Sequence, residues 1–217
     1  MRGRFVTFEG IEGAGKSTQL AHAAGFLAAQ GIDCEVTREP GGTPVAESLR
    51  RLLLERQPEA LDATAELLLV FTARAIHVAN RIRPALERGA WVLCDRFTDA
   101  TEAYQGSGRG LPVDEILALA RIAQRGLRPD LTLIFDLPVA RALERAAARS
   151  PRSDRFESEQ RAFHERVRRG YLEILAREPG RCRRIEAVRG PDEVREQVEG
   201  LLAAAVGDWR KGSSDGR

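Results

Sequence analysis

Gly10-Ile11-Glu12-Gly13-Ala14-Gly15-Lys16-Ser17 stands between an apolar run that ends at Glu9 and an amphipathic stretch that begins at Lys16. Its GxxxxGK[ST] spacing has a mechanism. The glycines let successive backbone N–H groups turn inward as a nest, and a helix starting at Lys16 adds the positive end of its dipole. The guest such a nest fits is a polyphosphate. Lys16 reaches the terminal phosphates as a point charge, the Ser17 hydroxyl suits Mg²⁺ on the same oxygens, and Thr18 helps hold the first phosphate. Only two of the 34 basic residues are lysines, Lys16 and Lys211, so the loop holds the one lysine of the expected folded body. The pattern names a nucleotide and not a reaction, because switches, motors and kinases share it.

Outward from the loop, β-branched and aromatic runs alternate with segments of helical period, as repeated βα units do. Strands are expected over 4–9, 34–38, 91–95, 131–136 and 183–186, and helices over 16–30, 44–55, 63–88, 113–126, 139–149, 157–177 and 191–206. Four of the strands are nearly continuous apolar runs, which suits strands covered on both faces. The expected fold is α/β: a doubly wound, five-stranded parallel sheet with helices on both faces, in a single domain over 1–206. Residues 149–154 (RSPRSD) are polar, dense in arginine and broken by Pro151, so they read as a surface loop able to act as a lid. Residues 207–217, rich in Gly, Ser and charge, read as a disordered tail.

The 217 residues, 43% hydrophobic and 30% charged, suffice for a sizeable core, and no apolar stretch approaches the roughly 20 residues that span a bilayer. Residues 1–8 lack the zones of a secretory signal, so the cytoplasm is the expected compartment. Cys34, Cys94 and Cys182 are odd in number and show no CxxC spacing, which offers neither a disulfide framework nor a zinc site. A net charge of +2, with acidic residues interleaved throughout, gives no support for a nucleic-acid partner. His22, His77 and His164 lie in helical segments without a partner pattern and receive no chemistry.

Four more segments stand out: TREPGGT from Thr37 to Thr43, FTAR from Phe71 to Arg74, DRF from Asp95 to Phe97, and TEAYQGSGRG from Thr101 to Gly110. Asp95 ends an apolar strand, which puts its carboxylate at the carboxyl edge of a parallel sheet beside the first loop, where it can serve a metal. A surface ion pair is the alternative. Phe71 and Arg74, three apart on one helix, share a face, and ordinary core is the alternative for Phe71. TREPGGT reads equally as a structural strand-to-helix turn, and a solvated loop carboxylate is the alternative for Glu12.

Together with Glu12, these segments in this order resemble the thymidylate kinase family, from Phe5 to about Val206. The resemblance implies a P-loop nucleoside monophosphate kinase that moves the γ-phosphoryl of ATP onto dTMP with Mg²⁺, giving ADP and dTDP. It also implies a homodimer, to which the apolar stretch from Leu67 to Phe71 contributes. Within this reading Gly10, Ile11, Glu12, Gly13, Ala14, Gly15, Lys16, Ser17 and Thr18 cradle ATP, and Arg145 lies at the adenine with backbone of 187–190. Ser17 and Asp95 serve the metal, Lys16, Arg96 and Glu12 surround the transferring phosphates, and Arg96 holds the acceptor phosphate.

For the acceptor, the resemblance implies that Phe71 stacks on the thymine and Arg74 donates to a thymine carbonyl. Thr101 and Gln105 address the base near its N3, Tyr104 packs beneath the deoxyribose, Glu12 points toward the acceptor's sugar or phosphate end, and Arg38, Glu39 and Pro40 border the site. The cradle offers no arginine at Ala14 or Gly15, so the chain looks like the bacterial type that keeps its transition-state arginines in a lid over about 149–156. Arg149 is the first candidate, with Arg152 and Arg155 behind it. The rivals are a kinase of the same fold with another acceptor and a nucleotide-binding switch. Phe71, Arg74 and Gln105 oppose the first, and the lack of an NKxD-type segment opposes the second.

Overall fold

The computed structural model describes residues 2–55, 57–149, 155–156 and 159–214. Strand β1 (Phe5–Glu9) leads through the cradle to α1 (Lys16–Ala28), and β2 (Cys34–Arg38) is followed by α2 (Pro44–Leu54) and α3 (Ala63–His77). A π-helical turn over Val78–Ile82 joins α3 to α4 (Arg83–Glu87), and β3 (Trp91–Asp95) precedes α5 (Thr98–Thr101) and a second π-helical turn, Glu102–Gly108. Then come α6 (Val113–Gln124), β4 (Leu131–Asp136), α7 (Val139–Arg149), α8 (Arg161–Arg177), β5 (Cys182–Glu186) and α9 (Pro191–Ser214).

Five parallel strands form one sheet in the order β2-β3-β1-β4-β5. β1 pairs with β3 from Phe5↔Val92 to Phe8↔Asp95, and with β4 from Val6↔Leu131 to Glu9↔Ile134. The chain leaves β1 for the far edge, returns to its side as β3, and crosses to its other side as β4. Strand order therefore reverses at β1, and the loops after β1 and β3 flank a crevice at the carboxyl edge.

Side-chain alternation splits the sheet's apolar residues between two cores. Val6, Phe8 and Leu93 pack with Leu20, Ala23 and Leu27 of α1, while Phe5, Val92 and Cys94 pack with Ile82 and Leu86. Every residue of β1 and β4 is buried, as strands covered on both faces require. β5 is an edge strand and buries only Cys182 and Ile185. Among the described residues, no helix is long and apolar enough to cross a membrane.

Two helical regions differ from the sequence reading. The single helix expected over 63–88 is interrupted by the π-helical turn before Pro84, which has no N–H for the carbonyl of Asn80 and crowds it with its ring. α9 continues to Ser214, past Val206, where the sequence reading expects a disordered tail; Trp209 packs edge-on against Trp91 at 5.1 Å and lies against Arg4. Residues 215–217 lie outside the described residues.

The π-helical turn Glu102–Gly108 sits close against α8. A Cβ on Gly170 would fall 2.4 Å from Ser107 Oγ, and Arg166 donates to the Gly108 carbonyl through Nε at 3.1 Å and Nη2 at 2.8 Å. That anchorage presents Tyr104 and Gln105 to the crevice.

Candidate active site

Gly10, Gly13 and Gly15 hold φ at 136°, 78° and 88°, conformations that bulkier residues resist. A Cβ on Gly13 would also stand 2.2 Å from the Ala142 carbonyl oxygen. Ile11 and Ala14 point into the core, so these two serve the loop through backbone alone. Lys16 is buried and donates to the Ile11 carbonyl at 2.9 Å. Burial, reinforced by Arg96, lowers its ammonium to about 8, against the opposing pull of Asp95, Glu12 and Glu9. A bound phosphate would give that ammonium an anionic partner, which no described residue supplies by direct contact.

The Ser17 hydroxyl donates to Asp95 Oδ2 at 2.8 Å, while Asp95 Oδ1 is buried without a partner among the described residues. Two hard oxygen donors, one of them partly unused, fit a Mg²⁺ that draws its other ligands from phosphate and water. No group of three or more His, Cys, Asp and Glu among the described residues is placed to cage a metal by itself.

Arg96 follows β3 with φ at 74°, a left-handed backbone for a non-glycine residue. Its guanidinium donates to Glu12 Oε2 at 3.3 Å and to the Tyr171 hydroxyl at 3.2 Å, and lies over the Tyr104 ring at 4.8 Å. Burial would lower this guanidinium, yet Tyr104, Tyr171, Glu12 and Asp95 push it well above its ordinary value. Tyr171 in turn donates to Glu9 Oε2 at 3.1 Å, and Glu9 Oε1 accepts the Phe97 N–H at 2.6 Å. The Glu9 carboxyl is pushed up to about 8 by burial, with Asp99 reinforcing it.

Two clefts meet here. One is lined by Gly13, Lys16, Ser17, Thr18, Arg38 and Asp95; the other by Pro40, Leu53, Val70, Thr101, Tyr104 and Gln105. Glu12, Glu39, Arg50 and Arg96 line both. The expected acceptor residues Pro40, Thr101, Tyr104 and Gln105 are thus brought together with Arg96 and Glu12. Arg38 lies on the cradle side, paired with Glu47 at 2.9 Å.

Arg74 is fully buried behind the second cleft. Its Nε donates to Glu39 Oε2 at 2.6 Å and its Nη2 to the Phe97 carbonyl at 3.0 Å and Thr101 Oγ1 at 2.9 Å, leaving Nη1 without a partner among the described residues. Glu39 also meets His77 Nδ1 at 3.0 Å, and His77 Nε2 bonds Thr37 Oγ1 at 2.7 Å, so His77 braces the TREPGGT turn. Burial opposes ionisation of Glu39, but Arg74 and His77 together hold its carboxyl below the usual range.

Phe71 does not line the cleft, contrary to the expected thymine stack. It packs with Leu67, Ile116 and Ala120 and supports Arg74 at 4.8 Å, while Val70 forms the cleft wall. One residue along a helix turns the side chain by about 100°, enough to move it from one face to the next. Of the expected lid arginines, Arg155 donates to the Leu53 carbonyl at 2.9 Å and to Glu66 at 2.6 Å, partners on α2 and α3 and not in the cradle. The Arg149 side chain and Arg152 lie outside the described residues. Arg145 donates to the Ala187 carbonyl at 3.1 Å, which joins it to the segment expected at the adenine.

Arg50, Val70, Glu9 and Tyr171 were not legible as site residues. Arg50 donates to the Pro40 carbonyl at 2.9 Å and stands with Arg38 and Arg96, whose charges, after burial, lower its guanidinium. A signal for Glu9 did exist: like Asp95, it is a carboxylate ending an apolar strand beside the cradle.

The thymidylate kinase family matches residues 8–198 of the chain. A thymidylate kinase of Pseudomonas putida is 55% identical over 206 residues, covering 95% of this chain and 98% of its own. That of Alkalilimnicola ehrlichii is 51% identical over 212 residues, covering 98% of each. The crystal structure of thymidylate kinase from Ehrlichia chaffeensis superposes with a TM-score of 0.75 at 34% identity, covering 93% of this chain and 99% of that one. With its cradle, its second cleft and these relatives along nearly its full length, the chain belongs to the thymidylate kinase family.

Proposed function

We propose that the protein is a thymidylate kinase that transfers the γ-phosphoryl of ATP to dTMP with Mg²⁺, giving ADP and dTDP. The observation that carries this reading is the junction of the two clefts at Glu12, Glu39, Arg50 and Arg96, where an anion held in each would meet two guanidinium groups. An oxygen of the dTMP phosphate bonds to the γ-phosphorus as the bond from that phosphorus to ADP breaks. No covalent enzyme intermediate is needed. The chain's task is to position two anions in line and offset their repulsion.

The nest over 13–18 and the start of α1 hold the ATP phosphates, with Lys16 as the buried cation. Arg96 and Arg50 hold the acceptor phosphate, a task suited to forked donors. Bound Mg²⁺, held by Ser17 and Asp95, would neutralise charge on the β and γ phosphates. Arg74 does not line the cleft, but its Nη1 has no partner among the described residues and would serve a thymine carbonyl that reaches it; Thr101 and Gln105 address N3, and Tyr104 crowds the position of a 2′-hydroxyl. Val70 supplies the apolar wall, Arg38, Glu39 and Pro40 border the acceptor, and Arg145 with 187–190 lies at the adenine.

In the same reading residues 1–206 act as one kinase domain, and a lid over about 149–156 brings Arg149, backed by Arg152, to the transferring group. The enzyme works in the cytoplasm as a homodimer. Exposed Leu68 on α3 and Leu117 and Ile122 on α6 support an apolar contact face. An analogue joining adenosine to thymidine through a polyphosphate should compete with both ATP and dTMP. Competition with only one of them contradicts the shared junction.

A further inference from the structure

Glu66 lies on α3 two turns before Arg74, with its side chain 1% exposed. Among the described residues, each group that bonds its carboxylate is a donor. Oε1 accepts from Gln105 Nε2 at 2.7 Å and from Arg109 Nε at 3.4 Å; Oε2 accepts from Arg155 Nη2 at 2.6 Å and Arg109 Nη2 at 3.3 Å. Gln105 lines the second cleft, and among the described residues its own Oε1 takes no donor.

We propose that Glu66 is a positioning residue that fixes which end of the Gln105 amide faces the acceptor, so that the cleft selects a base presenting a ring N–H over one presenting a ring lone pair. This rests on the reading of that cleft as the dTMP site. The two ends of a glutamine amide are nearly the same size, and shape alone leaves both orientations open. A carboxylate clasped by two guanidinium groups has only acceptors to offer, so the NH₂ end must face it. Oε1 is then turned toward the cleft as a fixed acceptor. The imide N–H of thymine satisfies it, whereas the cytosine ring presents a lone pair to it and leaves a buried acceptor unmatched.

Glu66 also holds Arg109, which reaches Glu159 at 2.5 Å, and Arg155. A purely structural role for it would lower turnover of every acceptor alike. The exchange Glu66→Gln with Gln105→Glu separates the two roles: the new amide donates to the new carboxylate, whose second oxygen restores an acceptor toward the base.

The experiment measures kcat/KM for dTMP and dCMP in wild type, Glu66→Gln, Glu66→Asp and the double exchange, with thermal unfolding of each. Glu66→Gln should reduce the dTMP to dCMP preference by roughly tenfold or more, chiefly through a higher KM for dTMP. The double exchange should recover the preference to within about threefold of wild type. If Glu66→Gln does not fold, the same comparison between Glu66→Asp, which keeps an acceptor-only group, and the double exchange carries the test, both retaining the preference. Equal losses for both acceptors, or a folded double exchange that discriminates no better than Glu66→Gln, overturn the proposal. A wild type that fails to prefer dTMP over dCMP overturns the acceptor reading itself, and this inference with it.

Discussion

Ser17 donates to Asp95 across 2.8 Å, joining the first turn of α1 to the end of β3. The contact exists because β1 and β3 are neighbours at the point where strand order reverses, so the elements that follow them face each other. Asp95→Asn keeps a hydrogen-bond acceptor for Ser17 and removes the anion. The Mg²⁺ concentration for half-maximal rate should rise by about tenfold to a hundredfold, with thermal stability nearly unchanged. An unaltered Mg²⁺ requirement contradicts the assignment of this pair to the metal.

Arg50 belongs to both clefts and stands beside Arg96. Arg50→Ala should raise KM for dTMP roughly tenfold to a hundredfold and move KM for ATP by less than about threefold. Steady-state kinetics with each substrate varied in turn reads the difference. Equal effects on both substrates would place Arg50 outside the acceptor phosphate site.

Phe71 and Val70 separate core from wall. Phe71→Leu should cost roughly 0.5–3 kcal/mol of stability while leaving KM for dTMP within about threefold of wild type. Val70→Ala should do the reverse, raising KM with a smaller loss of melting temperature. Unchanged stability in Phe71→Leu with a KM increase of about tenfold or more would restore the stacked arrangement.

The division between Phe71 and Val70 marks where the sequence stops being legible. The cradle is read directly because its spacing is local, and Asp95 because a carboxylate ending an apolar strand of a parallel sheet has only one place to be. Arg50 sits next to Arg51 on α2, and nothing in their neighbourhood of the chain says which guanidinium turns inward; packing of α2 against α3 decides it. Phe71 satisfied the helical spacing to Arg74 as well as Val70 did, and only the placement of α6 against α3 distinguishes them. The helix past Val206 depends on Trp209 meeting Trp91, a contact between residues more than a hundred positions apart. β5 was legible despite its arginines because an edge strand needs only partial burial, here Cys182 and Ile185.

Glu9 predicts a pH dependence. Its folded carboxyl lies at about 8 against an ordinary 4.5, so the folded chain keeps a proton that the unfolded chain releases. The stability it contributes is whole below about 4.5 and is lost as pH rises through about 8. Glu9→Gln mimics the protonated form, so its melting temperature should fall less than that of wild type between about pH 6 and about pH 9. Identical slopes in the two proteins contradict the assignment.

Release of ADP, followed with ATP and Mg²⁺ and each nucleoside monophosphate in turn, tests the central claim most directly. The account predicts that dTMP accelerates ADP formation above every other acceptor, and that Lys16→Ala abolishes this acceleration while remaining folded. ADP formation that dTMP fails to accelerate, or near-normal turnover in Lys16→Ala, would contradict it.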